Sequence, residues 1–427
     1  MTLRAVKGMN DVLPDEIGRW HELEAVVRRR LELASYREIR TPVLEPTELF
    51  VRSIGEATEI VEKQMFVLER GDESLALRPE GTAGVARAYL QGSLHAREPV
   101  SRLYYLGPMF RAERPQRGRY RQFWQAGAEI YGDAGPGSDA EMIDMLVGML
   151  SELGITELRV LVNSLGSPET RVRYREALRA HLLPRAEKLS EHARKRLEDN
   201  PLRILDSKNP SDIEAVAGAP TILELLGPED LAHFEGLKRA LTALGTPFEV
   251  SPGLVRGLDY YTRTLFEIQS SAGEMGSQNA LLGGGRYDGM VRELGGPDVP
   301  AIGFAMGLER MLLAMPVRPA AKTGRCFLAP LGEAAIDQAL VIARELRNAG
   351  VEAEADTRGG SLKSLLRRAD GTTSRLCLVL GEAELARGVV ALKDLAARTQ
   401  EEVPRAELVA RVQALLATPP APSGGSA

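Results

Sequence analysis

Apolar residues recur at three- and four-residue steps between Asp15 and Ala34, where Ile17, Trp20, Leu23, Val27 and Leu31 fall on one side. That period predicts a long opening helix, with Asp15, just after Pro14, as its N-cap. The pattern then shortens. Arg37–Glu45 has the character of a strand interrupted by Pro42; since proline donates nothing to a ladder, the segment belongs at a sheet edge or interface, open to cover by a partner chain. Met65–Leu68 and Ser74–Leu77 flank the polar Arg70-Gly-Asp-Glu73 and predict a hairpin, while Arg102–Phe110 and Gln122–Tyr131 predict two longer strands around a basic loop. Strands that follow one another without intervening helices point to an antiparallel sheet. Ser138, with Glu141 three residues on and Met142, Leu146, Met149 and Leu150 behind it, has the signature of a capping box.

From about 167 to 245 the chain is charged, leucine-containing and helical in period, without β-branched runs, which predicts a helical insertion. Strand signals return at Leu265–Gln269 and around Leu281, and Ala305–Met315 has the pattern of a helix. The stretch Pro316–Gly324, with two prolines and a glycine, is the best domain boundary. Beyond it strands at Cys326–Ala329, Val351–Ala355, Leu376–Leu380 and Val389–Leu392 alternate with helices at Ala334–Ala349, Leu362–Ala369 and Ala406–Leu416, an α/β module. The expected class is therefore α+β: an antiparallel sheet flanked by helices over 1–320, an α/β domain over 325–417 and a low-complexity tail over 418–427.

Composition narrows the picture. A chain of 427 residues exceeds the roughly 250–300 at which a single core stops growing, so two or three units are expected. Hydrophobic residues at 44% and charged residues at 26% exclude wholesale disorder, collagen and coiled coil. A net charge of −5 argues against coating nucleic acid by bulk charge, though not against local basic patches. The two cysteines, Cys326 and Cys377, build neither a disulfide framework nor a CxxC zinc site, and the five histidines have no metal-site spacing, so a reducing compartment and no protein-bound metal are expected. No window approaches the roughly 18 apolar residues of a membrane span and the first ten residues lack a signal-peptide core, which predicts a cytoplasmic protein.

Four segments carry candidate chemistry. Leu282–Met290, rich in glycine, fits neither dinucleotide nor P-loop pattern; it is either a close backbone approach between strands or a loop whose missing side chains admit a ligand. Between Phe110 and Phe123 five arginines (Arg111, Arg114, Arg117, Arg119, Arg121) crowd eleven residues, a polyanion site or a solvated charged loop; Arg111 at a strand end would, if buried, need an anionic partner. Val255–Glu267 pairs Tyr260 and Tyr261 near Arg256, planar faces and hydroxyls for a small polar or aromatic ligand, or simply an amphipathic strand. Arg78-Pro-Glu-Gly-Thr82 contains Glu80 and could equally be a strand-to-helix turn capped by Thr82.

In combination these segments resemble the histidyl-tRNA synthetases, class II aminoacyl-tRNA synthetases. The segment ending Arg40–Glu45 resembles the first class motif, Tyr105–Glu129 the second and Ala301–Arg310 the third, while Leu254–Tyr261 and Gly283–Gly289 resemble two signatures of the histidine enzymes; the likeness covers residues 1 to about 417. It implies activation of L-histidine with ATP, brought in as a Mg2+ complex, to histidyl-adenylate, then transfer to tRNA(His) by a homodimer. Arg111 would hold the α-phosphate, Arg310 the γ-phosphate, and Glu113 would lie near the adenine. Glu80 and Thr82 would take the α-ammonium of histidine and Gln125 its carboxylate; Glu129 and Tyr261 would bracket the imidazole, with Tyr260 beside them. Arg256 would be the catalytic arginine, and Arg114, Gln116 and Arg119 would meet the acceptor end of tRNA. The 325–417 module would bind the anticodon. Phe123-Trp124-Gln125 departs from an expected Phe-His-Gln, with Trp124 turned away from the substrate side of its strand, and the tail has no family counterpart. The alternative is the catalytically silent, histidine-sensing regulatory subunit of ATP phosphoribosyltransferase, which characteristically loses catalytic residues and the C-terminal domain that this sequence retains. A synthetase for another amino acid is opposed by the segment Arg256–Tyr261.

Overall fold

A computed structural model describes residues 3–55, 58–205, 207–255, 260–271, 279–317 and 323–418, and the chain divides into two compact units, Met1–Pro316 and Val317–Ala427. The first runs α1 (Pro14–Leu33), β1 (Arg37–Glu38), β2 (Leu44–Pro46), α2 (Thr47–Ile54), β3 (Phe66–Arg70), β4 (Glu73–Leu77), α3 (Thr82–Gln91), β5 (Ser101–Phe110), β6 (Gln122–Tyr131), α4 (Pro136–Glu152) and β7 (Leu158–Ser164). Helices α5 (Pro168–Leu182), α6 (Glu191–Asp199), α7 (Pro210–Val216) and α8 (Pro228–Leu244) follow, then β8 (Glu249–Val250), β9 (Thr262–Ser270), β10 (Ala280–Arg286), α9 (Met290–Glu293), β11 (Ala301–Gly307) and α10 (Leu308–Ala314).

Among the described residues the main sheet has eight strands in the order β1-β5-β6-β11-β10-β9-β7-β8. Its interior pairings are antiparallel, but both edges, β1 on β5 and β8 on β7, are parallel, so the sheet is not purely antiparallel. Pro42 does more than interrupt a strand: β1 and β2 end up in different sheets, β2 joining the β3–β4 hairpin in order β2-β4-β3. Helix starts also differ from the sequence expectation, for one reason. Pro14 and Pro136 each occupy a first-turn position, which places the caps at Leu13 and Gly135 rather than at Asp15 and Ser138. Ser138 Oγ instead donates to the Gly135 carbonyl, and Glu141 pairs with Arg102. Ala305–Met315 is the end of a strand followed by a helix, β11 then α10.

Period two along the central strands sorts the side chains. On β6, Ala126, Ala128 and Ile130 join the large core beneath α1, α4, α8 and α10, with Trp124 packed against it, while Gln125, Gly127 and Glu129 face the other way. Trp124 meets Trp20 of α1 edge-on at 6.3 Å between ring centroids, on the face away from the cleft. The stripe Trp20, Leu23, Val27 and Leu31 buries α1 on this core, and helices α5–α7 enclose a separate one around Tyr174, Leu178 and Leu182.

The second unit runs β12 (Thr323–Pro330), α11 (Glu333–Asn348), β13 (Ala353–Ala355), α12 (Leu362–Gly371), β14 (Ser374–Leu380), α13 (Glu382–Ala386), β15 (Val389–Asp394), β16 (Thr399–Pro404) and α14 (Leu408–Ala417). Strand β16 was not expected from the sequence. Its sheet has the order β13-β12-β14-β15-β16, parallel across the first three strands and antiparallel after them. Cys326 and Cys377 sit on adjacent strands but in cores on opposite sides of the sheet, so their thiols do not face each other.

Candidate active site

A cleft of about 730 Å³ opens over the main sheet, on the face that carries Gln125. Its floor is made of the smallest side chains available: Gly303, Ala305 and Gly307 of β11 and Gly283 of β10 all line it. The glycine-rich segment is thus a strand end rather than a loop, and it makes the close backbone approach between strands. A Cβ on Gly284 would collide with the Gly303 carbonyl, and one on Gly285 would come within 2.5 Å of the Thr264 carbonyl, while Gly283 lines the cleft.

Three of the lining residues, Arg111, Arg119 and Arg310, are cationic. Arg111 leaves the end of β5 with its guanidinium 5.2 Å over the Phe123 ring and its Nε donating to the Pro79 carbonyl at 2.9 Å. Arg310, in the first turn of α10, donates to the Ala280 carbonyl at 2.8 Å, and Arg119 pairs with Glu113 at 3.5 Å. Burial lowers the pKa of both Arg111 and Arg310; Glu113 and Glu80 oppose this at Arg111 more than Arg119 adds to it, whereas at Arg310 the Arg119 guanidinium adds to it ahead of the opposing Glu113 and Glu267. Buried guanidiniums whose charge is disfavoured are relieved by a polyanion. The basic loop turns at Gly118, whose φ of +72° suits glycine, where Gln116 and Arg119 exchange backbone hydrogen bonds. Arg119 lines the cleft, while Arg114 and Gln116 project from the loop into solvent.

Other lining residues, Glu80, Thr82, Gln125, Tyr260, Tyr261 and Tyr287, are polar or aromatic. Glu80 is 3% exposed at the start of α3, where its carboxylate accepts the amides of Thr82 at 2.7 Å and Ala83 at 2.9 Å. Glu80 therefore does the capping, and the Thr82 hydroxyl is freed to donate to Glu129 at 2.9 Å. Burial nevertheless pushes the Glu80 carboxyl above its ordinary range. Glu129 is wholly buried, its other oxygen accepts the Tyr287 hydroxyl, and burial drives it well above the usual range for a carboxylate. It does not line the cleft; Thr82 and Tyr287 do, with Glu129 behind them. Tyr260 packs 4.7 Å from Tyr261 and 5.6 Å from Tyr287, centroid to centroid. The Oε1 of Gln125 and the hydroxyl of Tyr105 are buried without a hydrogen-bond partner among the described residues. Gln125 lines the cleft, so its free acceptor is available to a ligand.

The structure thus brings Glu80, Thr82, Arg111, Glu113, Arg119, Gln125, Tyr260, Tyr261 and Arg310 around one cleft. Arg256 lies outside the described residues, as does 256–259 of its signature. Among the lining residues not singled out from the sequence are Tyr287, Glu267, Glu309 and Arg203. Tyr287 had a legible signal, since it directly follows β10 within the glycine-rich segment. Glu309 accepts the Trp124 amide through both oxygens, at 2.9 and 3.1 Å. Arg203 arrives from the helical insertion and carries no local signature.

Comparison with known proteins agrees along the chain. A family model described as histidyl-tRNA synthetase matches residues 8–311, and one described as an anticodon binding domain matches 325–415. The histidine–tRNA ligase of Sorangium cellulosum (strain So ce56) is 58% identical, covering 100% of this chain and 99% of its own length. That of Geobacter metallireducens is 48% identical over 94% of this chain and 97% of its own. The apo crystal structure of Staphylococcus aureus histidyl-tRNA synthetase superposes with a TM-score of 0.81 at 32% identity, covering 96% of this chain and 100% of that one. The regulatory-subunit alternative is not favoured by these relatives. With arginines and a buried carboxylate lining one cleft, and with matches of this extent, the chain belongs to the histidyl-tRNA synthetase family of aminoacyl-tRNA synthetases.

Proposed function

We propose that the cleft binds L-histidine and ATP, joins them as histidyl-adenylate with release of pyrophosphate, and passes the histidyl group to tRNA(His). The observation that carries this is the lining of the cleft: Arg111, Arg119 and Arg310 share it with Glu80, Thr82 and the tyrosines Tyr260, Tyr261 and Tyr287. In-line attack of a carboxylate on the α-phosphorus brings two anions together, so the barrier falls when fixed cations meet the developing charge. Arg111 holds the α-phosphate, Arg310 the γ-phosphate, and Glu113 lies by the adenine. Mg2+ enters with ATP as part of the substrate complex. Arg256 is assigned the catalytic role on the family motif alone. Glu80 and Thr82 receive the α-ammonium, and Gln125 lies beside the carboxylate. Glu129 acts on the imidazole through the hydroxyl of Tyr287, opposite Tyr260 and Tyr261. A site arranged to pair both ring nitrogens rejects isosteres that leave its buried groups unpaired.

Residues 1–320 then form the catalytic domain, with its insertion over about 167–245, 325–417 the anticodon-binding domain, and 418–427 a tail. Arg114, Gln116 and Arg119 meet the acceptor end of tRNA, where guanidiniums suit phosphates. A homodimer in the cytoplasm completes the proposal; among the described residues no helix is long and apolar enough to cross a membrane. The test is ATP–pyrophosphate exchange with each of the twenty amino acids. Exchange should depend on histidine; exchange driven better by another amino acid would overturn the substrate assignment.

A further inference from the structure

Arg286 is the largest wholly buried side chain among the described residues. A guanidinium taken out of water must have every donor answered. Its Nε and Nη2 meet the Asp139 carboxylate at 3.0 and 2.7 Å, Nη1 donates to the Asp133 carbonyl at 2.9 Å, and Nη2 to the Gly135 carbonyl at 2.8 Å. All three partners lie at or just before the first turn of α4, so Arg286 ties the end of β10 to that helix start. Asp288, two residues on, lies 3.4 Å from the same guanidinium. Its carboxylate also accepts the Ala301 amide at 3.0 Å at the start of β11, and its own amide donates to the Thr262 hydroxyl at 3.2 Å at the start of β9.

Tyr287 stands between these two anchors. Its amide donates to the Ala301 carbonyl at 2.9 Å, and its side chain lies on the opposite side, along the cleft, with its hydroxyl on Glu129. The helical insertion reaches the same cluster: His233 of α8 lies 3.6 Å from Asp139, too far for a hydrogen bond, and burial pushes its pKa down to about 4, so it stands there as a neutral ring. A buried ion pair is a weak source of net stability, and Asp139 Oδ1 and His233 Nε2 have no hydrogen-bond partner among the described residues, but the hydrogen bonds that Arg286 and Asp288 make select one arrangement over near alternatives. Here the arrangement selected is the backbone on either side of one tyrosine.

We propose that Arg286 and Asp288 are positioning residues for histidine recognition, holding Tyr287 so that its hydroxyl stays on Glu129 and the wall facing the substrate ring keeps its shape. This rests on the assignment of Tyr287 and Glu129 to the imidazole of histidine. Asp288 is the usable handle, since its carboxylate is 28% exposed, whereas truncating Arg286 strands Asp139 in the core.

The experiment is steady-state ATP–pyrophosphate exchange by the full chain carrying Asp288→Ala, Asp288→Asn or Tyr287→Phe, varied against both substrates. Asp288→Ala should raise the histidine KM about tenfold, the scale of one hydrogen bond, and leave the ATP KM within about twofold. Asp288→Asn, whose amide oxygen still accepts the Ala301 amide, should stay within about threefold of the parent. Tyr287→Phe should raise the histidine KM as well. A raised histidine KM in Tyr287→Phe with none in Asp288→Ala overturns the positioning role while leaving the imidazole assignment standing, and a parallel rise of both KM values in Asp288→Ala also overturns it. An unchanged histidine KM in Tyr287→Phe removes the assignment itself, and the proposal with it.

Discussion

Arg111 and Arg310 are held where burial disfavours their charges, and Glu80 is held where its own charge is disfavoured. Each is costly in the empty cleft and useful in a filled one. Replacing Arg111 by alanine should lower exchange by about two orders of magnitude, the usual cost of losing a donor aimed at developing charge, and near-normal exchange would remove it from the reaction. For Glu80 the sign follows from its raised pKa. As pH falls through that range the carboxyl takes up a proton and loses its attraction for an α-ammonium, so histidine should bind more weakly at low pH, and binding should release a proton. Titration calorimetry in two buffers of different ionisation enthalpy measures that release, which should disappear in Glu80→Gln; an unaltered release in the variant would place the proton elsewhere. Gly303→Ala should be worse than its size suggests, since the added methyl collides with the Glu129 carboxylate. Overpacking of this kind typically costs about 1–3 kcal/mol, and a denaturation midpoint equal to that of the parent would show that the wall can yield.

Helix α10 meets strand β6 through one carboxylate. The ladder between β6 and β11 ends at the pair Gln125–Gly307, and Glu309 takes the amide of Trp124, the next residue of β6 past that pair. A backbone contact tolerates tryptophan at 124 as well as any other residue, and the side chain packs against Trp20. Burial pushes Glu309 up to about 7 from an ordinary 4.5. The folded chain therefore holds a proton that the unfolded chain has released, so this stability is present below about 4.5 and lost as pH rises through about 7. Glu309→Gln does not titrate, so its denaturation midpoint should gain on the parent between pH 5 and pH 8; a constant difference across that range would contradict the shift. Elements such as β5, β6 and α1 were legible because their periods are strong and their residues pack as the periods imply. Strand β11 was partly hidden because Gly303, Ala305 and Gly307 are small for the cleft's sake, which removes the β-branched signal a strand normally carries. Strand β16, Thr-Gln-Glu-Glu-Val-Pro at an edge, has too little apolar character to be seen. In the site, Glu80, Arg111 and Arg310 could be found from motifs, whereas the place of Glu129 behind Thr82 and Tyr287, and Arg203 from the insertion, depend on contacts between segments far apart in sequence.

At the scale of the whole chain, every residue assigned to ATP and histidine precedes Pro316, where the first unit ends. A chain ending there should keep histidine-dependent exchange and lose most transfer to tRNA, if the second unit reads the anticodon. What transfer remains should become more sensitive to salt, because the exposed arginines of the 111–121 loop would supply most of the surviving contact. Parallel loss of both activities in a truncated protein shown to keep its dimeric state would contradict the anticodon role. The central claim, that one cleft activates histidine and hands it to tRNA, is tested most directly by incubating the full chain with labelled histidine, ATP and total tRNA. The account predicts acid-precipitable label on tRNA(His), dependent on ATP and nearly abolished in Arg111→Ala. Histidine binding without pyrophosphate exchange and without label on tRNA would contradict it.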